Sequence, residues 1–288
     1  MKGIEEYGLS GGGIFWKIHH YADPAKDEAW LERTRLEYIH DPRTYEREIL
    51  MREIATDGQP VYVAYVDHIH APSKFHGQKI PLLKEGKLIM GWDCGTASVH
   101  PAAVLTMFLK STPERGPMMI SLAEFISEPG TSIQDFAPEV MREVSMLYPS
   151  IRLSSIIHAG DETARNRQGA TGTSNEDIMR DFGIFLELMS NRLQDRINSV
   201  QWWLATRSLD NPPTPSFIVC KYLCPTLCKG FDGGYRYPPR KTSTGVIISH
   251  QPAKNDYSHP HDALQYACLK AKNVSAGSSS TFSPGIGS

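Results

Sequence analysis

Two short apolar runs in this sequence each end in an aspartate. Residues 88–90 lead into Asp93 and residues 156–157 into Asp161. Such runs indicate buried strands, where a carboxylate is costly to bury without a partner or a metal. If the two strands are parallel neighbours, both acids lie at the carboxyl edge, where α/β sheets bind ligands. A strand-end Asp that merely caps a turn is the plainer interpretation.

A third carboxylate, Asp262, stands at the start of a predicted helix in the run His259-Pro-His-Asp262. Carboxylate oxygens suit hard cations such as Mg²⁺ and Mn²⁺. Two such ions roughly 4 Å apart can activate water and stabilise the leaving oxygen of a phosphodiester. Asp93, Asp161 and Asp262 are therefore candidate metal ligands and catalytic residues.

The elements between these acids predict a mixed α/β sheet. The apolar runs 102–109 and 117–126 follow the Asp93 strand and indicate an antiparallel meander with it. Residues 132–148 carry apolar side chains at helical spacing, which predicts an amphipathic helix packed on the sheet. The strand ending at Asp161 is the fourth, and 217–220 is a fifth. Further helices are expected over 175–182 and around 193–204.

The N-terminal part predicts smaller elements. Gly11, Gly12 and Gly13 end a stretch that we expect to be flexible. The expected elements after it are a strand at Ile14–Ile18, helices over 28–38 and 42–52, a strand over 61–66 and a linker over 67–86.

Composition excludes several classes of protein. Of 288 residues, 40% are hydrophobic and 22% charged, which is ordinary for a globular chain. The formal net charge of −2 shows no overall basic bias for nucleic acid, although a local basic face remains open. The odd count of five cysteines argues against a disulfide framework. We find no signal peptide and no apolar stretch of membrane-spanning length.

Three motifs, in this order, resemble a known family. They are Gly91-Trp-Asp-Cys-Gly95, His158-Ala-Gly-Asp-Glu-Thr-Ala-Arg165 and His261-Asp-Ala-Leu-Gln-Tyr-Ala267. Their order and spacing look like the nuclease domain of the large terminase subunit of tailed bacteriophages, over roughly residues 16–272. The resemblance implies an α/β, ribonuclease H-like fold with a mixed five-stranded sheet, an antiparallel meander plus parallel strands, flanked by helices.

The resemblance also implies a domain organisation. Residues 1–80 resemble the end of the terminase ATPase domain and its linker, 81–273 form the nuclease domain, and 274–288 form a disordered tail. We find no Gly-x-x-x-x-Gly-Lys-Ser/Thr loop to hold nucleotide phosphates, so no ATP hydrolysis is expected. The motor domain would then be lost, split off or truncated away.

The implied activity is a metal-dependent endonuclease that cuts concatemeric viral DNA during packaging, with little sequence specificity. Its implied cofactors are two Mg²⁺ or Mn²⁺ ions. The implied partners are double-stranded DNA, the portal protein, the small terminase subunit and a motor domain on another chain. The implied location is the cytoplasm of the bacterial host, outside the mature virion.

Several further residues are candidates for DNA or metal contact. They are Arg165 and Arg167 in the polar loop after Asp161, and Tyr235, Arg236, Arg240 and Lys241 in a glycine-led aromatic and basic segment. Beside a metal site these groups could hold backbone phosphates, but an exposed loop and a plain hairpin explain them as well. Glu124 could be a fourth ligand, although we favour a solvent-facing position. His259 and His261 flank Asp262 and could orient ligands.

Two other functions stay open. The first is another ribonuclease H-like nuclease, of the resolvase or transposase type, which also uses three or four acids. The second is a non-catalytic docking module of the packaging motor, in which the acids are structural. A requirement for a divalent ion would separate the nuclease from the docking module.

Overall fold

A computed structural model describes residues 3–8, 14–38, 45, 49–50, 58–95, 100–112, 115–167, 172–206, 214–242 and 245–277.

The N-terminal elements are an antiparallel hairpin of β1 (Ile4–Gly8) and β2 (Ile14–Ile18), followed by helix α1 (Glu28–Glu37). Asp27 caps this helix by accepting a hydrogen bond from the Trp30 N–H. The strand at Ile14–Ile18 and the first helix are as expected, while the predicted helix over 42–52 falls mostly outside the described residues.

The segment after residue 58 differs from the prediction. Its strand is short: β3 (Gln59–Pro60) pairs with β10 (Arg236–Tyr237). Residues 61–66, expected as a strand, form a turn whose Tyr62 and Tyr65 rings are buried. Helix α2 (Asp67–His70) follows in the expected linker, and His70 is buried too. Aromatic and β-branched residues favour strands, but here they pack into the core without a partner strand.

The centre of the molecule is a six-stranded mixed sheet. Its strands are β4 (Lys87–Asp93), β5 (Ala102–Leu109), β6 (Met118–Ile126), β7 (Ile157–Asp161), β8 (Leu186–Met189) and β9 (Phe217–Val219). The spatial order is β8-β7-β4-β5-β6-β9. Strands β4, β5 and β6 form an antiparallel meander, β7 is parallel to β4, and β8 is parallel to β7.

An antiparallel meander with two parallel strands added beside its first strand is the ribonuclease H-like arrangement, and this prediction is confirmed. The sheet has six strands instead of the expected five, because β8 was not predicted. The run 217–220 is a strand as expected, and it lies at the far edge, parallel to β6. All eight residues of β5 are buried, as a central strand covered on both faces requires.

Helices cover both faces of the sheet. They are α3 (Ile133–Leu147), α4 (Asn175–Asp181), α5 (Leu193–Ala205), α6 (Pro225–Lys229) and α7 (Ser258–Gly277). The amphipathic α3 buries Phe136, Val140 and Val144, and Ser132 caps it. Part of the basic segment, β11 (Pro239–Thr242), pairs with β12 (Gly245–Ile248) in an antiparallel ribbon. Among the described helices, none is both long and apolar enough to span a membrane.

Helix α7 is the last element, and it crosses the sheet over β4. A side chain on Gly91 of β4 would collide with the carbonyl oxygen of Ala263, so only glycine permits this close approach. The helix continues to Gly277, past the point where the disordered tail was expected to start, and residues 278–288 lie outside the described part. The close contact sets Asp262, the neighbour of Ala263, over the end of β4.

Candidate metal centre

Two of the predicted acids lie at the ends of neighbouring parallel strands. Trp92 on β4 pairs with Gly160 on β7, so the residues that follow, Asp93 and Asp161, are next in register. Adjacent strands in a sheet are about 4.8 Å apart. Each carboxylate accepts a hydrogen bond from the turn that follows it: Asp93 Oδ1 from the Gly95 N–H (3.2 Å) and Asp161 Oδ1 from the Thr163 N–H (2.9 Å).

The third acid, Asp262, is brought to the same place by α7. Its side chain is only 5% exposed and has two cationic partners. Lys254 Nζ donates to Asp262 Oδ2 at 2.7 Å, and Arg196 Nη1 lies 3.3 Å from Asp262 Oδ1. Burial raises the pKa of Asp262, the two cations oppose that rise, and the nearby charge of Asp93 adds to it.

The side chains of the three acids line one cavity of about 500 Å³. Besides the acids it is lined by Cys94, Gly95, His100, Thr163, Ala164, Asn175, Arg196, Lys254, Asn255, Asp256, His259 and Tyr266. His259, expected near the acids, lies with Nδ1 3.1 Å from Asp93 Oδ2, and its ring centroid is 4.7 Å from that of His100. The cavity therefore combines carboxylates with imidazole, hydroxyl and amide groups.

The donors in this cavity suit a hard divalent cation by their chemistry. Three carboxylates converge, and Asp262 Oδ1 is buried without a hydrogen-bond partner among the described residues. Their arrangement, however, is not that of a closed metal site: within the described ranges, no group of three or more His, Cys, Asp or Glu side chains is positioned to hold a metal ion. Ion pairs with Lys254 and Arg196 balance the negative charge of Asp262.

His261, the second histidine expected beside Asp262, lies in the core. Its ring stacks on Tyr235, with the centroids 5.0 Å apart, and burial lowers its pKa to about 3. It is therefore neutral, and it faces the aromatic core instead of the cavity. Residues two positions apart on a helix do not share a face, whereas His259 and Asp262, three positions apart, do.

Glu124, considered as a fourth ligand or a solvent-facing residue, has a different position. Its carboxylate accepts hydrogen bonds from the N–H groups of Thr226 (2.6 Å) and Leu227 (2.8 Å) at the start of α6. Burial raises its pKa, and these hydrogen bonds oppose the rise. The solvent-facing expectation is wrong, because the first turn of α6 offers unpaired N–H donors that a carboxylate can satisfy. Glu124 is not among the residues that line the cavity.

The basic candidates after Asp161 are exposed. Arg165 forms an ion pair with Glu176 (3.1 Å), and Arg167 forms an isolated backbone bridge with Ser174. Since Arg165 ends the 3₁₀ turn that begins right after Asp161, both arginines lie close along the chain to the rim of the cavity. Neither of them lines the cavity itself.

The candidates in the glycine-led basic segment differ in position. Tyr235, expected at a nucleic-acid surface, is 2% exposed, and burial raises its pKa above the usual range. This expectation is wrong, because its hydroxyl lies 3.5 Å from Gln265 inside the core. Arg236 is half-buried on β10, opposite Pro60. Arg240 and Lys241 belong to β11, and their side chains lie outside what is described.

Sequence reasoning missed the two cations at Asp262. Arg196 occurs in the helical repeat of apolar residues on α5, where its buried position interrupts the apolar stripe. An arginine on a buried helix face is a signal for a buried acid partner, since such a charge is costly alone. Lys254 gives no comparable signal, because it lies in a loop and its contact depends on how that loop folds back onto α7.

The comparisons with known proteins find only distant likenesses. No protein-family model and no curated protein matches this chain. The chain is similar to a crystal structure of the large terminase nuclease from thermophilic phage G20c with bound magnesium (TM-score 0.43, 9% identity, covering 74% of this chain and 97% of that one). It is also similar to the g2p (large terminase) nuclease domain from the bacteriophage SPP1 with bound Mn (TM-score 0.36, 12% identity, 65% and 88%).

Proposed function

We propose that this chain is a divalent-metal-dependent DNA endonuclease that cuts concatemeric viral DNA during packaging, as the nuclease of a large terminase subunit. One observation carries the nuclease part: Asp93, Asp161 and Asp262 reach a single cavity from two neighbouring strands and a crossing helix. The terminase part rests on the order of the three motifs that begin at Gly91, His158 and His261.

In this proposal Asp93, Asp161 and Asp262 hold two Mg²⁺ or Mn²⁺ ions. When bound, the ions supply an activated water and stabilise the departing 3′ oxygen of the scissile phosphodiester. Asp93 and Asp161 are suited to hold cations because their backbones are fixed by the sheet and each has one oxygen anchored by its own turn. His259 orients the Asp93 carboxylate through its contact with Oδ2.

The DNA strand would approach along the rim of the cavity. Arg165, Arg167, Arg236, Arg240 and Lys241 are proposed contacts to backbone phosphates. Phosphate contacts carry no sequence information, and no element in the described ranges resembles a base-reading helix, so little sequence specificity is expected. The portal protein, the small terminase subunit, a separate motor domain and the host cytoplasm complete the proposal as its partners and location.

A non-catalytic docking module is the second candidate, and the ion pairs at Asp262 favour it. A buried carboxylate with two cationic partners also occurs where acids are purely structural. In that case the acid cluster would hold α5, α7 and the loop before α7 together, and no divalent ion would be needed.

A plasmid-nicking assay tests the proposal. Supercoiled plasmid is incubated with the pure chain and Mn²⁺, with Mg²⁺, or with either ion plus EDTA. We expect conversion to nicked and linear DNA with the ions and none with EDTA, because hydrolysis depends on the bound cations. Absence of cleavage with every ion, by a folded chain that also binds no Mn²⁺ in a calorimetric titration, would favour the docking module.

A further inference from the structure

The two cations at Asp262 differ in how firmly they are held. The Arg196 side chain is 10% exposed, donates to the Tyr266 hydroxyl at 2.9 Å and lies over the Tyr266 ring. The Lys254 side chain is 72% exposed, and among the described residues Asp262 is its sole ionic partner. The arginine is thus a fixed part of the core, whereas the lysine can leave without breaking another contact.

The backbone on both sides of Lys254 is nevertheless anchored. The Ala253 N–H donates to the Arg236 carbonyl at 2.8 Å, and the Asn255 side chain donates to the Gly234 carbonyl at 3.0 Å. The loop therefore presents the ammonium group to the cavity while its flexible stem stays in solvent. A lysine in this position can exchange one partner for another by rotating its side chain alone.

We propose that Lys254 is an exchangeable counter-ion that occupies the cation position on Asp262 and competes with the divalent ion for that carboxylate. This inference rests on the proposed metal-dependent function. The groups that face Asp262 explain why a counter-ion is needed: Asp93 and Asp161 line the same cavity, and Arg196 alone leaves a net negative charge. Asp256 also lines the cavity and is a further carboxylate there, so the need for a counter-ion is greater still.

Two consequences distinguish a competing lysine from a merely structural one. Loss of the ammonium should strengthen divalent-ion binding, because the ion no longer has to displace it from Asp262. Loss of the ammonium should also lower the melting temperature of the metal-free chain, because the three carboxylates then repel one another with less compensation. A lysine with only a structural role would weaken the fold and leave the metal affinity unchanged or lower.

The test is calorimetric titration of the full chain with Mn²⁺, together with melting temperatures with and without the ion. Lys254→Gln removes the charge, Lys254→Arg keeps it, and Lys84→Gln is the matched control at an exposed lysine outside the cavity. We expect Lys254→Gln to bind Mn²⁺ roughly tenfold more tightly than wild type, as the loss of one charged hydrogen-bonded competitor implies. Lys254→Arg and Lys84→Gln should bind like wild type.

The outcomes separate the two proposals. Tighter binding by Lys254→Gln, with a larger metal-induced rise in melting temperature, supports the competition even if wild type binds Mn²⁺ too weakly to measure. Equal affinity of wild type and Lys254→Gln overturns the competition and leaves the metal-dependent nuclease intact. No Mn²⁺ binding by any folded variant overturns both.

Discussion

At the scale of single residues, the chemistry of the candidate site depends on how burial is balanced by partners. Asp262 is almost fully buried, and its charge is tolerable because Arg196 and Lys254 face it. Glu124 is half-buried, and two backbone N–H groups satisfy its carboxylate. The two acids of the same sheet-and-helix core thus have different roles, and their hydrogen-bond and ionic partners distinguish them.

His158 gives a prediction at this scale. Burial lowers its pKa from an ordinary 6.5 to about 4, and its Nδ1 accepts a hydrogen bond from the Trp92 indole N–H at 3.1 Å. The unfolded chain therefore binds a proton on this histidine before the folded chain does. The free energy of unfolding should fall as pH drops from 6.5 toward 4, by roughly 2 kcal/mol between pH 7 and 4.5.

Urea unfolding of wild type and His158→Gln at both pH values measures this effect. Glutamine keeps an acceptor for Trp92 but does not titrate, so the variant should lose less stability on acidification. Equal losses in both proteins would show that His158 titrates normally in the folded state.

Whether the role of a residue could be predicted from sequence depends on whether its contacts are local or distant in the chain. Asp93, Asp161 and Asp262 were identifiable because each ends a strand or begins a helix, which is a local pattern. The burial of Tyr235 and the capping role of Glu124 depend on α7 and α6, which are distant in the chain. The local sequence does not show whether a tyrosine in a glycine-rich basic segment, or an acid in an apolar strand, lies at the surface or in the core.

At the scale of elements, the close approach of α7 to β4 is the feature that assembles the site. It depends on Gly91, where any side chain would strike the backbone of α7 at Ala263. Gly91→Ala should push the helix away from the sheet and shift Asp262 relative to Asp93. We expect a loss of roughly 1–3 kcal/mol of stability, as for other overpacked cores, together with weaker Mn²⁺ binding.

Melting temperature and calorimetric Mn²⁺ affinity of the variant are the measurements. Gly160→Ala is the matched control, because its added carbon would meet Leu186 side-chain atoms at 3.3 and 3.5 Å, which can move, and the Trp92 carbonyl oxygen at 3.6 Å, an ordinary contact distance. If Gly91→Ala matched the control in melting temperature and in Mn²⁺ affinity, the helix could shift without affecting the site, and this account of its assembly would be wrong.

The elements that sequence reasoning missed are short. Strand β8 has four residues, and an apolar run of that length after a helix does not reveal its own type. Residues 61–66 are of the types that favour strands, but they form a turn. The packing of Tyr62 and Tyr65 into the core determines this conformation, and that packing is not visible in the local sequence. By contrast, β4 to β6 and α3 are long and strongly patterned, and they were predicted with nearly their observed bounds.

At the scale of the whole molecule, the sheet order brings distant parts of the chain together. Asp93, Asp161 and Asp262 are far apart in sequence, yet they line one cavity because β7, which ends in Asp161, inserts beside β4, and α7, which carries Asp262, returns over both strands. This convergence supports the proposed cation site, in which Asp93, on the central strand, would be the acid whose loss weakens cation binding most.

The most direct measurement is the plasmid-nicking rate of Asp93→Asn, with Glu124→Gln as a matched variant of a half-buried acid outside the cavity. Asn keeps the size of the side chain and removes its charge, so nicking with Mn²⁺ should fall by about 10²-fold or more. The metal-free melting temperature should hold or rise, because like-charge repulsion is relieved. Glu124→Gln should nick at the wild-type rate and melt at a lower temperature. Nicking by Asp93→Asn at the wild-type rate would contradict the assignment of these acids to a nuclease site.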